Sequence, residues 1–234
     1  MTNVLEVTEI HTFIGQFHIL EGVSLEVPDG SITALLGRNG AGKTTSLKSI
    51  LGLTPPSKGS ISFNGVEIQG QPTYQIAGKG IGYVPEYRAI FRDLSVEENL
   101  KIAERKKGDL AQRADFIFGL FPDLKRLIKL PGGNLSGGQQ QMLAIARALV
   151  PENRLLLIDE PSEGLAPVII EQVMDAVRQL SAHTTVLLVE QNFVMASQLA
   201  DRYTIIEAGK SAKSGLMADL VDDQETIRRY LGAA

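Results

Sequence analysis

The sequence predicts an α/β fold: a mostly parallel sheet core, an N-terminal antiparallel β part and an inserted helical subdomain. Three observations carry it. A glycine-rich loop at 37–44 lies between a short apolar run and a helical pattern. The apolar runs 155–158 and 186–189 lack polar alternation, as expected of parallel strands covered on both faces. Between those runs Ile169, Val173, Val177 and Leu180 recur at helical spacing.

Taken in order, residues 4–7 and 23–27 read as strands, the second closed by the turn Pro28-Asp29-Gly30. Residues 32–36 form a strand running into the glycine-rich loop, and a helix follows to about Leu51. Asn64-Gly65 joins 61–63 to 66–68 as a hairpin, because this dipeptide accepts positive φ at both central positions. Residues 81–84 make another short strand, stopped by Pro85. From Ser95 to about Gln141 the pattern turns helical, opening on Ser95 and Glu98 at capping-box spacing. Leu110, Ala114, Ile117, Phe118 and Phe121 keep that spacing until Pro122. Pro167 stands near the start of the helix through Leu180, and 203–206 with Ala208-Gly209 predicts a last hairpin. No repeat, low-complexity tract or long linker interrupts the chain. Residues 1–234 therefore read as one domain, with a helical insertion at approximately 90–140.

Composition excludes several functions. Lys+Arg number 23 against 27 Asp+Glu, a net charge of −4, so no basic field points to nucleic acid as a partner. The chain has no Cys, which excludes disulfides, iron–sulfur clusters, Cys zinc sites and thiol nucleophiles, and fits a reducing compartment. His11, His18 and His183 lack ligand spacing. The first thirty residues carry Glu6, Glu9, Glu21, Glu26 and Asp29 in place of a signal peptide's basic start and apolar run. No apolar run approaches the ~20 residues that span a bilayer, so a membrane is expected only through a partner. Arg105-Lys106-Lys107 reads as a solvated helix end.

Chemistry concentrates in three places. Gly37-Arg38-Asn39-Gly40-Ala41-Gly42-Lys43-Thr44 matches G-x-x-x-x-G-K-[ST] between a strand and a helix, the context that gives this motif its meaning. Its glycines let backbone N–H groups close around phosphate oxygens, and the helix start favours anions. Lys43 is placed to meet the β and γ phosphates, the Thr44 hydroxyl to bind Mg²⁺, and Thr45 to support them. The second place is Asp159-Glu160, directly after an apolar strand, where an open α/β sheet presents its ligand crevice. Asp159 suits Mg²⁺, and Glu160 suits orienting or deprotonating an attacking water. The third is Ser136-Gly137-Gly138-Gln139, a capped helix start with two glycines that reads as a second phosphate-binding element.

In this order and across 5–231 the sequence resembles the ATP-binding subunits of ABC transporters, whose fold is an ATP-binding cassette with these same parts. The resemblance implies ATP hydrolysis coupled to transport, with ATP and Mg²⁺ bound. It also implies a second ATP-binding subunit, so that Ser136, Gly137 and Gly138 would meet the γ-phosphate held by that partner. Two membrane permease subunits and, indirectly, a solute-binding protein are implied with it, placing the chain at the cytoplasmic face of the membrane. Tyr87, Ile90 and Phe91 stand where the family's insertion receives a permease helix, and read equally as packing of the insertion.

Departures narrow the likeness. Glu86 stands where the family usually has a glutamine reaching Mg²⁺ and water, Ala166 where it has an aspartate, and Gln191 where it has a histidine. With Thr54-Pro55-Pro56-Ser57, Tyr83-Val84-Pro85-Glu86 and Ser162-Glu163-Gly164-Leu165-Ala166-Pro167, the chain is similar to branched-chain amino-acid importer ATPases. The smaller of their two ATP-binding subunits fits best, with the urea and short-chain amide branch close by. A mainly regulatory ATP-binding subunit is the rival reading from another class, motivated by Gln191 and Ala166. Ile14 occupies the place of the usual adenine-stacking tyrosine, leaving Phe13 or Phe17 to supply an aromatic face.

Overall fold

The computed structural model of the protein describes residues 2–232. The strands are β1 (Asn3–Ile14), β2 (Phe17–Pro28), β3 (Ile32–Leu36), β4 (Lys58–Phe63), β5 (Val66–Glu67), β6 (Ile81–Val84), β7 (Leu155–Asp159), β8 (Thr185–Glu190), β9 (Arg202–Glu207) and β10 (Lys210–Leu216). The helices are α1 (Lys43–Ile50), α2 (Thr73–Gly78), α3 (Val96–Lys101), α4 (Asp109–Leu120), α5 (Pro122–Arg126), α6 (Gly137–Ala148), α7 (Pro167–Ser181), α8 (Phe193–Leu199), α9 (Met217–Asp222) and α10 (Gln224–Thr226).

Two sheets form. An antiparallel sheet has the order β2-β1-β4-β5, and a six-stranded sheet has the order β10-β9-β3-β8-β7-β6. In the second, every pairing is parallel except β9 with β10. Successive side chains of its central strands enter different cores, as the period of two dictates. Leu155 and Leu157 of β7 join Leu35, Leu187 and Val189 against α1 and the antiparallel sheet. Leu156 and Ile158 join Val186 and Leu188 against Leu143, Ile145, Val173 and Val177 of the helices. Covering both faces is why 155–158 and 186–189 are continuously apolar. Each such side chain contributes about 1.5–3 kcal/mol by leaving water.

Strands β3 and β6 lie where the sequence places them, and Asn64 and Gly65 turn the β4–β5 hairpin at φ 50° and 73°. The predicted 4–7 and 23–27 are fragments of two 12-residue strands forming one long hairpin. Register shifts at Val7/Ile10, Ile10/His11 and Thr12/Phe13 break the alternation that would have extended them. The helical stretch from Ser95 is broken into α3, α4 and α5, with Pro122 starting α5 at its first turn as well as ending α4. The capping box forms: Ser95 Oγ accepts from Glu98 N at 3.2 Å, and Glu98 Oε2 accepts from Ser95 N at 2.8 Å. Helix α2 and the closing helices α9 and α10, anchored by buried Met217, Leu220 and Ile227, have no counterpart in the sequence reading.

Candidate nucleotide site

Parallel register brings Leu36, Val84, Asp159 and Glu190 to one edge of the six-stranded sheet, at the carboxyl ends of β3, β6, β7 and β8. The loops that leave those ends build the site. Between β3 and α1 the backbone turns through Gly42, whose φ of 110° an L side chain rarely adopts. A Cβ there would sit 2.7 Å from Leu20 Cδ2, and one at Gly37 only 2.4 Å from the Ile206 carbonyl. Glycine at 37 and 42 is thus demanded by packing as well as by the turn.

Lys43 is 4% exposed. Its Nζ donates to Gly37 O at 2.9 Å and Arg38 O at 3.3 Å, and pairs with Glu160 Oε1 at 3.0 Å. Thr44 Oγ1 donates to Asp159 Oδ1 at 3.1 Å, and the Tyr83 hydroxyl donates to Asp159 Oδ2 at 3.3 Å. Burial pushes the Asp159 carboxyl above the usual range, opposed mainly by the Thr44 hydrogen bond. Burial and the Asp159 charge push the Tyr83 hydroxyl up as well. Glu86 is raised by its hydrogen bond with Glu163, then by burial and the nearby acidic charges. Glu160 adopts φ 45°, and its N–H donates to Val189 O at 2.9 Å.

A cavity of about 390 Å³ opens over these groups. Asn39, Gly40, Gly42, Lys43, Thr44 and Thr45 line one side, Glu86, Glu160 and Glu163 another, and Ile14 and Ile19 supply apolar wall. Asp159 lies beneath, touching Thr44. A neighbouring cavity of about 350 Å³ shares Glu160 and Glu163 and adds Ser162, Glu190, Gln191 and Asn192. Arg38 and Ala41 face a separate cavity with Tyr230, and the Arg38 guanidinium donates to Arg229 O at 3.1 Å. A buried ammonium, loop amides and a hydroxyl beside carboxylates form an arrangement that can hold a polyphosphate and a hard cation.

Two groups lie elsewhere. Ser136, Gly137, Gly138 and Gln139 start α6, with Ser136 Oγ accepting from Gln139 N at 3.3 Å, and they line neither cavity. A Cβ on Gly138 would meet Ile169 Cγ2 at 2.7 Å, so this glycine lets α6 and α7 pack closely. Phe13 stacks on His18 with ring centroids 4.2 Å apart, and Ile14 and Ile19, not Phe13, line the cavity. The sequence reading missed Tyr83, Glu163 and Glu190 as site residues. A tyrosine inside a buried strand and a carboxylate ending an apolar one were the available signals, since buried polar tips need partners.

Comparison with known proteins bears on this geometry. Residues 20–163 match the ABC transporter family. The chain is 42% identical over 232 residues to the high-affinity branched-chain amino acid transport ATP-binding protein BraG of Pseudomonas aeruginosa, covering 98% of this chain and 100% of that protein. It is 36% identical over 233 residues to the probable branched-chain amino acid transport ATP-binding protein LivF of Archaeoglobus fulgidus, covering 98% and 99%. An ATP-binding subunit of an ABC transporter superposes with TM-score 0.82 at 27% identity, over 98% of this chain and 96% of that one. A nucleotide-free ATP-binding cassette superposes with TM-score 0.86 at 24% identity over 100% of both chains, a likeness of fold. With a glycine-rich loop, an Asp-Glu strand end and a capped helix start in their places on this fold, the chain belongs to the ABC transporter family, as an ATP-binding cassette.

Proposed function

We propose that this chain is the ATP-hydrolysing subunit that energises a membrane importer of branched-chain, hydrophobic amino acids. One observation carries the reading: Lys43, Thr44 and Glu160 line one cavity, with Asp159 hydrogen-bonded to Thr44 beneath it, so the proposed phosphate-binding and water-activating groups meet at one place. The named relatives supply the transported class. Residues 1–234 act as one ATP-binding unit, with 90–140 as its helical insertion.

Lys43 and the amides of Gly37, Arg38, Asn39, Gly40, Ala41 and Gly42 hold the β and γ phosphates, with Thr45 behind them. Thr44 Oγ1 and Asp159 Oδ1, 3.1 Å apart, are the hard oxygens that would hold Mg²⁺, with Glu86 at the cavity's other side. That ion would neutralise phosphate charge. Among the described residues no group of three or more His, Cys, Asp or Glu could hold a metal. Glu160 orients the attacking water and takes its proton, and Gln191 donates to a γ-phosphate oxygen.

Ser136, Gly137, Gly138 and Gln139 serve a second ATP-binding subunit. Their place outside both cavities supports this. No helix among the described residues is long and apolar enough to cross a membrane. The chain sits at the membrane's cytoplasmic face through permease subunits.

The test is leucine uptake in cells lacking this chain. Reintroducing the wild type should restore uptake, and Lys43→Ala should not. Uptake that never depended on the chain would contradict the transported class, and uptake restored by Lys43→Ala would contradict the ATPase role.

A further inference from the structure

Strand β8 ends on a carboxylate that the chemistry above does not use. Glu190 is 1% exposed, and its two oxygens are taken by two backbone amides. Oε1 accepts from Ser162 N at 3.2 Å and Oε2 from Asn192 N at 3.1 Å. These amides belong to different segments. Ser162 lies in the turn that follows Glu160. Asn192 follows Gln191 and caps α8, its Oδ1 accepting from Met195 N at 3.1 Å.

One residue earlier, Val189 O accepts from Glu160 N at 2.9 Å. The end of β8 therefore grips the Glu160 turn twice, at residues 160 and 162. Glu160 needs such a grip. Its φ of 45° is a left-handed conformation that a non-glycine residue keeps only when its surroundings impose it. Glu160, Ser162, Glu190, Gln191 and Asn192 all line the same cavity.

We infer that Glu190 is a positioning residue, whose buried carboxylate clasps the Ser162 and Asn192 amides and so fixes Glu160 and Gln191 relative to one another. The inference rests on the reading that Glu160 activates water. Burial holds the Glu190 carboxyl above its usual range, while the Ser162 and Asn192 hydrogen bonds oppose that rise. A glutamine at 190 keeps the volume but offers one acceptor and one donor. It would leave one of the two N–H groups facing an amide nitrogen.

The experiment compares the full-length wild type with Glu190→Gln and Glu190→Asp, measuring MgATP hydrolysis, ADP affinity and amide hydrogen exchange. In Glu190→Gln, kcat should fall at least tenfold while ADP Kd stays within twofold. Exchange should accelerate at 160–165 and 191–196 and remain unchanged at 37–44. Glu190→Asp keeps both oxygens and should recover part of the lost kcat. An active wild type matched by an equally active Glu190→Gln would overturn the inference. So would a kcat loss accompanied by weak ADP binding and faster exchange at 37–44, which marks general loosening. If the wild type hydrolyses no ATP, the ATPase reading fails by itself. Exchange still decides the clasp in that case: faster exchange at Ser162 and Asn192 supports it, and unchanged exchange overturns it.

Discussion

Lys43 Nζ lies 3.0 Å from Glu160 Oε1, so the ammonium proposed for phosphate is held by the carboxylate proposed for water. Both are largely buried, at 4% and 13% exposure, so water screens the pair little. Phosphate oxygens arriving at Lys43 would compete with Glu160, and with the Gly37 and Arg38 carbonyls, for the ammonium. On the proposed roles, nucleotide binding would loosen Glu160 from Lys43 and free it for water.

This relationship predicts the effect of Glu160→Gln on binding. The amide pairs weakly with Lys43 and removes a negative charge near the phosphates. ADP affinity should rise a few-fold, in line with the ~1 kcal/mol by which a charged hydrogen bond exceeds a neutral one. Calorimetric titration with ADP checks this without hydrolysis complicating the result. Weaker ADP binding in the variant would show that the pair does not compete with phosphate.

Lys43→Ala should do the reverse. It removes a charge-assisted phosphate contact and leaves Glu160 without its cation, costing roughly 1.5–3 kcal/mol. ATP should bind at least tenfold more weakly by calorimetry. Unchanged affinity would refute the assignment of the loop.

Gln191 lines the cavity beside Glu160 and can donate a hydrogen bond, but it cannot become cationic as histidine can. Gln191→Ala should slow turnover while ADP affinity stays unchanged. The wild-type pH–rate profile should lack a step near 6–7 that disappears in this variant. A variant with wild-type turnover would remove Gln191 from the phosphate site.

Asn99 makes the stability prediction. It is fully buried, and its Oδ1 accepts from Phe91 N at 2.8 Å. Its Nδ2 donates to Phe91 O, Leu94 O and Ser95 O at 2.9–3.1 Å, tying the loop before α3. Asn99→Ala strands several buried groups and should cost about 2–4 kcal/mol in urea unfolding. ADP affinity of the folded fraction should persist, because Asn99 lines no part of the nucleotide cavity. A loss below 1 kcal/mol would mean that water replaces the side chain.

Much of this site could be read from the sequence because its parts are local. The loop at 37–44 and the Asp159-Glu160 pair each lie within a few residues of a strand end, and parallel register carries them to one edge. What depends on register across the sheet could not be read. Tyr83 meets Asp159, 76 residues away along the chain, because Tyr83 pairs with Leu157 in the neighbouring strand. The Glu190 contact with Ser162, 28 residues away along the chain, has the same cause. The long β1–β2 hairpin was hidden by bulges, which shift hydrophobic residues off the period of two. The glycines at 137 and 138 look alike in sequence. Only the structure shows that a Cβ at Gly138 would press into Ile169, while one at Gly137 would meet nothing closer than Arg88 at 3.5 Å.

The most direct test of the account is the hydrolysis rate of Glu160→Gln in the assembled transporter, with bound ATP measured in the same sample. A positioned base contributes about 10²–10⁴-fold to rate. The variant should hydrolyse ATP slower by that order while still holding it, because Lys43, Thr44 and the loop amides remain. The partner subunit's site is scored separately, since a paired transporter can keep hydrolysing there. Hydrolysis at this site near the wild-type rate, with ATP bound as before, would contradict the claim that Glu160 is the base.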